Sequence, residues 1–202
     1  MKTITTFVAM ATITLFVVAL TAFRAQAATN AANNVAGGSQ TLTGSGTVTV
    51  NSSTIALVKQ VYDSAGNCLA SSPADAACNA SATSATVPTG TVLKFLIFTK
   101  NNTAVALTDI RFQDVLDVTG TGFTYVASSI KRTQIGASEP AATDSAATIF
   151  TNANTGTVQT DLADTDVASF VSPNVTAGST TNGVVSIPAN KAFGILFQAS
   201  KN

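Results

Sequence analysis

The chain reads as an all-β protein, an antiparallel β-sandwich, on three observations. The run VLKFLIF at 92–98 is short, apolar and rich in β-branched and aromatic residues, with Pro88, Thr89 and Gly90 before it and Lys100, Asn101 and Asn102 after it. A core strand explains such a bounded run better than a helix. Ile110, Phe112 and Asp114 alternate in the strand period, as do Phe193, Ile195 and Phe197 near the C-terminus. The composition, rich in Thr, Ala, Ser, Asn and Val with no Trp or His and few charges, suits polar-faced strands.

The N-terminus carries an export address. Lys2 precedes an apolar stretch at 6–23, and Ala25-Gln26-Ala27 is a small-residue cleavage site, so residues 1–27 are expected to be a cleaved, helical signal peptide, with the mature chain beginning at Ala28. The apolar stretch nearly reaches the ~20 residues of a bilayer span, which makes an uncleaved anchor the alternative. Removing 27 of 202 residues leaves 175, enough for one buried domain and long for a minimal sandwich of about 100, so extra strands or an insertion are expected. Loss of Lys2 and Arg24 leaves 8 basic and 10 acidic residues, a balance that argues against nucleic acid as partner. With the signal removed and no apolar tail at the C-terminus, no membrane partner is expected either.

Residues 28–53 form a polar leader. Within it Leu42, Val48 and Val50 occupy even positions and line one face of an extended segment, a candidate donor strand that adds to the edge of its own sheet or reaches into a neighbour. Residues 54–202 are the sandwich domain. TIALVKQVY at 54–62 is a strand with Ile55, Leu57 and Val61 on one face, interrupted by Lys59. The strands at 92–98, 110–114 and 123–125 are expected to be adjacent and antiparallel, and 127–131 to continue a strand. The tract 133–182, rich in Ala, Thr and Asp, is expected to hold short strands and long loops, with helix an option at 161–170. Gly183 to Pro188 leads into the last strand, and no internal repeat is visible.

Cys68 and Cys78 are the only cysteines, and in an exported chain they read as one disulfide around a small loop. So short a ring contributes less than the ~3 kcal/mol of a 15-residue loop. A zinc site lacks a second Cys pair and His.

Without His, and with both cysteines paired, nucleophilic catalysis has no base of the usual kind, so no catalytic residues, cofactor or enzymatic activity are expected. Asp109, Asp114 and Asp117 lie on or beside one strand, while Asp161, Asp164 and Asp166 form a loop cluster that is a weak calcium candidate beside the plainer reading of solvated carboxylates. Lys59, Asp114 and Asn190 have the composition of a self-formed Lys-Asn isopeptide bond in surface adhesins, which an intact-mass loss of one ammonia would reveal. Sequons begin at Asn51, Asn79, Asn101 and Asn174 and permit glycosylation.

The succession LVK at 57–59, PTG at 88–90 before an apolar strand, the Asn-bearing turn at 100–103, LTDIRFQDVL at 107–116, GFTYVASSI at 122–130 and the closing IPANKAFGILFQA resembles the Ig-like conserved repeat domain of bacterial and archaeal cell-surface proteins. Thr91 stands where that pattern has an acidic turn residue, and one copy occurs where tandem copies are frequent. The resemblance implies an Ig-like sandwich. An exported single copy with a polar leader is also loosely similar to TasA-type fibre subunits and archaeal bundling pili, which polymerise by donating an N-terminal strand. These likenesses imply a secreted or cell-surface structural subunit of a filament, surface layer or biofilm fibre, with further copies of itself as partner. The alternative is a monomeric adhesin or carbohydrate-binding module that meets cell-surface components or glycans.

Overall fold

Twelve strands and one helix make up the described part of the chain in the computed structural model, which covers residues 40–44, 55–78 and 85–202. All of these fall within one compact unit, Val35–Asn202. The expected signal peptide at 1–27, residues 28–39 of the expected leader and the second half of the predicted donor segment lie outside the described residues.

In chain order the strands are β1 (Gln40–Gly44), β2 (Ile55–Tyr62), β3 (Cys68–Ser72), β4 (Val92–Asn101), β5 (Leu107–Val115), β6 (Phe123–Tyr125) and β7 (Lys131–Arg132). Helix α1 (Ala146–Asn154) follows, then β8 (Thr157–Val158), β9 (Ala168–Val171), β10 (Asn174–Ala177), β11 (Val185–Ile187) and β12 (Ala192–Lys201). The first sheet has the order β1-β5-β10-β9, with β11 also on β5. The second has the order β3-β2-β4-β12-β7-β8, with β6 also on β12.

The two sheets share one core. Leu93, Phe95 and Ile97 of β4 and Phe193, Ile195 and Phe197 of β12 meet Ile110 and Phe112 of β5, Val175 of β10 and Ile187 of β11. The predicted alternation on β4, β5 and β12 is therefore present, and the fold is all-β and sandwich-like. Gly90, with φ +82, makes the turn that delivers the chain into β4, a conformation that suits glycine.

The opposite face of the second sheet is buried too. Ser145 caps α1 by accepting a hydrogen bond from the Thr148 backbone N–H at 3.1 Å, and Ile149, Phe150 and Ala153 then pack on Tyr62, Leu96, Phe98, Ala192 and Leu196. Phe150 stacks on Tyr62 with ring centroids 3.8 Å apart. Burial on both faces accounts for the unbroken apolar runs of β4 and β12.

Four expectations need correction. Strands β4 and β5 are not adjacent but face each other from separate sheets, because the 102–106 turn carries the chain across the sandwich, and β6 pairs with β12. The pairing is not wholly antiparallel, since β1 lies parallel to β5. The helix in the tract 133–182 is α1 and not 161–170, where carboxylates of Asp161, Asp164 and Asp166 bind nearby backbone and hydroxyl groups and stabilise turns before β9. Residues 127–130 turn instead of continuing a strand, which resumes only at Lys131.

Candidate functional site

The outer edge of the first sheet is where the N-terminal segment meets the domain. Gln40 through Gly44 run in register with Ile110 through Asp114, a parallel pairing of five residues at the outer margin of the sheet. The pairing begins directly after Asp109, whose φ of +56 kinks β5. Arg111 holds that kink in a fork, donating from Nε and Nη2 to the Asp109 carboxylate at 2.9–3.1 Å. Five residues of regular β5 edge are thus bounded by a kink at one end and the end of the strand at the other.

Beneath the last register pair, Lys59 projects from β2 across the sandwich. Its Nζ donates to both oxygens of Asp114 at 2.7 Å and sits 5.4 Å from the centre of the Phe95 ring. The alternation of β2 forces this arrangement, because Lys59 shares the inward face with Leu57 and Val61. The two ends of the pair differ: the Asp114 side chain is 4% exposed and that of Lys59 35%.

Past this ion pair, toward the Val61 end of β2, the sandwich opens into an apolar cleft of about 380 Å³. Val61, Leu69, Leu93, Phe95 and Phe123 form its apolar wall, with Ala85 to Val87 and Lys201 also in the lining. At the other end of β4, Asn101 is fully buried. Its Nδ2 donates to the carbonyls of Val105, Ile187 and Pro188, and its Oδ1 accepts from the Thr103 backbone N–H and hydroxyl, so one amide ties the 102–106 crossing to β11.

The structure brings some of the predicted residues together and separates others. Cys68 and Cys78 form the disulfide, with Cα atoms 5.0 Å apart. Leu42 lies in the β1–β5 register opposite Phe112, while Val48 and Val50 lie outside the described residues. Lys59 and Asp114 meet, but Asn190 sits in the turn before β12 at the Lys100 end of β4, its backbone bonded to Thr103 and Ala142, with β4 between β12 and β2. Asp161 accepts from the Tyr125 hydroxyl at 2.5 Å and the Ser128 backbone, and Asp164 accepts from the Asp166 backbone N–H and then from the Thr160 hydroxyl, which hold the Asp164 carboxyl below the usual range. Among the described residues no three His, Cys, Asp or Glu side chains converge as a metal-binding group. The sequons at Asn51 and Asn79 lie outside the described residues, and that at Asn101 is sealed in the core.

The buried bridging role of Asn101, the Asp109–Arg111 fork and the cleft are not among the expectations drawn from the sequence. For Asn101 the available signal was its place at the end of the most apolar strand, where a polar side chain must find partners within the turn that follows. Among the described residues no helix is long and apolar enough to cross a membrane. No family model, curated protein or solved structure matches the chain.

Proposed function

We propose that this chain is an exported structural subunit whose copies join into a filament, layer or matrix fibre by exchanging the N-terminal strand at the β5 edge. The observation that carries the reading is β1 itself. It is a short outermost strand, parallel to β5, separated from β2 by the ten residues 45–54 and paired, among the described strands, with β5 alone. A copy of Gln40–Gly44 from a neighbouring chain can form the same register and the same backbone hydrogen bonds, so exchange conserves the pairing. Swapping an identical element between chains is a low-cost route to association, and a head-to-tail contact that does not close propagates. The Ig-like character of the sandwich and its kinship with cell-surface repeat domains belong to the same proposal.

The test is a pair of prolines. Thr41→Pro with Leu42→Pro, in a chain beginning at Ala28, removes two adjacent N–H groups, one of which must donate into the ladder. Loss of concentration-dependent assembly in light scattering is expected, whereas assembly at the unsubstituted level would refute strand exchange.

A second reading is a monomeric adhesin or carbohydrate-binding module, favoured by the seat of β1 on the β5 edge of its own chain. A single stable species across concentration, with specific hits on a glycan array, would select it.

A further inference from the structure

We propose that the apolar cleft beside Val61 is the continuation of the β5 edge and receives Val48 and Val50 from a second copy of the chain. This rests on the strand-exchange reading and assigns it an acceptor site.

The direction of β1 points there. Leu107 pairs with Ile187, whose carbonyl binds Asn101, and Asn101 pairs with Ile55, so the start of β5 lies at the Ile55 end of β2. Asp114, seven residues on, binds Lys59, so β5 and β2 run the same way. Gly44 is level with Asp114 and therefore with Lys59, and a chain leaving Gly44 in the same direction passes Val61, on the cleft wall, about two residues later. At about 3.3 Å per residue, Val48 lies some ~13 Å beyond Gly44, deep enough to enter the cleft. In an extended chain Val48 and Val50 share a face, as required for two side chains that fill one apolar groove.

The length of the chain decides between the donor's own cleft and a neighbour's. Were Val50 in the cleft of its own domain, five residue steps would have to carry the chain back to Ile55. That span is at most about 18 Å. The climb along β2 from Val61 to Ile55 alone is about 20 Å, before the chain crosses from cleft to strand. The chain cannot close that circuit. It can seat β1 on its own β5, because the eleven steps from Gly44 to Ile55 reach about 36 Å, but a chain closed in that way is too short to bring both valines into the cleft. A neighbour's segment has no such return to make. Exchange therefore buries Val50 together with Val48, whereas the closed form can bring at most Val48, seven steps or about 25 Å from Ile55, into the cleft, and this favours the joined state.

Thiol cross-linking of full mature chains tests the assignment, because Cys68 and Cys78 are paired and leave no free cysteine among the described residues. Chains bearing Val50→Cys are mixed with chains bearing Val87→Cys under assembling conditions and treated with a short bis-maleimide. A species of twice the chain mass is expected, and it should be absent when Asn33→Cys replaces Val50→Cys. Ala85→Cys, at an exposed position of the lining, repeats the test without removing a large apolar side chain. Filaments that form without the cross-link at either receiving position would overturn the cleft as acceptor while leaving strand exchange standing. Cross-linking confined to single chains carrying both substitutions would overturn the second copy as donor. Failure of the unsubstituted chain to assemble would remove the strand-exchange premise and this inference with it.

Discussion

Replacing Lys59 by Met should cost far more stability than replacing Asp114 by Ala, although both remove the same ion pair. The asymmetry follows from the exposures: with Lys59 gone, a carboxylate only 4% exposed is left inside the sandwich without its cation. Breaking a buried pair in this way costs about 3–5 kcal/mol, and about 3 is the better figure here because water reaches the lysine end. With Asp114 gone, the Lys59 ammonium, 35% exposed, can turn to solvent, and the loss falls to about 1–2 kcal/mol, the worth of its charge-assisted hydrogen bonds. The double variant Lys59→Met with Asp114→Leu should return to within ~1 kcal/mol of the parent, since apolar replacement of a whole buried pair is often neutral. Urea unfolding reads all three as shifts in midpoint at constant m. Equal losses for the two single variants, or a larger one for Asp114→Ala, would show that the carboxylate is hydrated in solution and refute the reasoning.

Three further outcomes follow from named contacts. Asn101→Asp places carboxylate oxygens against three carbonyls that now accept from Nδ2, and should cost about 3 kcal/mol or more in the same assay, where Asn102→Asp at the exposed neighbouring position should cost little. The chain has only two tyrosines, and both resist ionisation: burial first, then the nearby Asp75 charge, pushes Tyr62 up to about 12, and burial first, then the hydrogen bond to Asp161, raises Tyr125. The folded state then holds protons that the unfolded chain releases near pH 10.0, so stability should be intact below that pH and fall as pH rises toward 12, with phenolate absorbance well below pH 12 coming from unfolded chain. Reduction of the disulfide, or Cys68→Ser with Cys78→Ser, should lower stability by just under ~3 kcal/mol and leave the far-ultraviolet circular dichroism of the sheets unchanged.

Strands that bury side chains by simple alternation were legible in the sequence. Leu93, Phe95 and Ile97, and Phe193, Ile195 and Phe197, announce their inward faces by period alone, and the two cysteines announce their pairing by count. Period cannot say which sheet a strand joins, and β4 and β5 were therefore placed side by side although they face each other. Helix α1 was hidden because its sequence AATIFTNAN carries only Ile149, Phe150 and Ala153 as a buried stripe within an Ala- and Thr-rich tract, and its capping serine has no acidic partner three residues on. The Asp-rich segment that follows looked loosely helical, but short carboxylates close to backbone N–H groups favour turns.

The inward position of Lys59 was visible, and so was the need for an acid nearby. The third member of the proposed isopeptide set, Asn190, rests on composition, and only the sheet order shows that β4 stands between β12, which follows Asn190, and the strand of Lys59. The donor segment was read from the even spacing of Leu42, Val48 and Val50, but the edge that takes it, and its parallel sense, emerge only from the fold.

Negative-stain electron microscopy of two chains, one beginning at Ala28 and one at Asn51, tests strand exchange most directly. Filaments from the longer chain with discrete particles from the shorter are the predicted result. Discrete particles from both, or filaments from both, would contradict it.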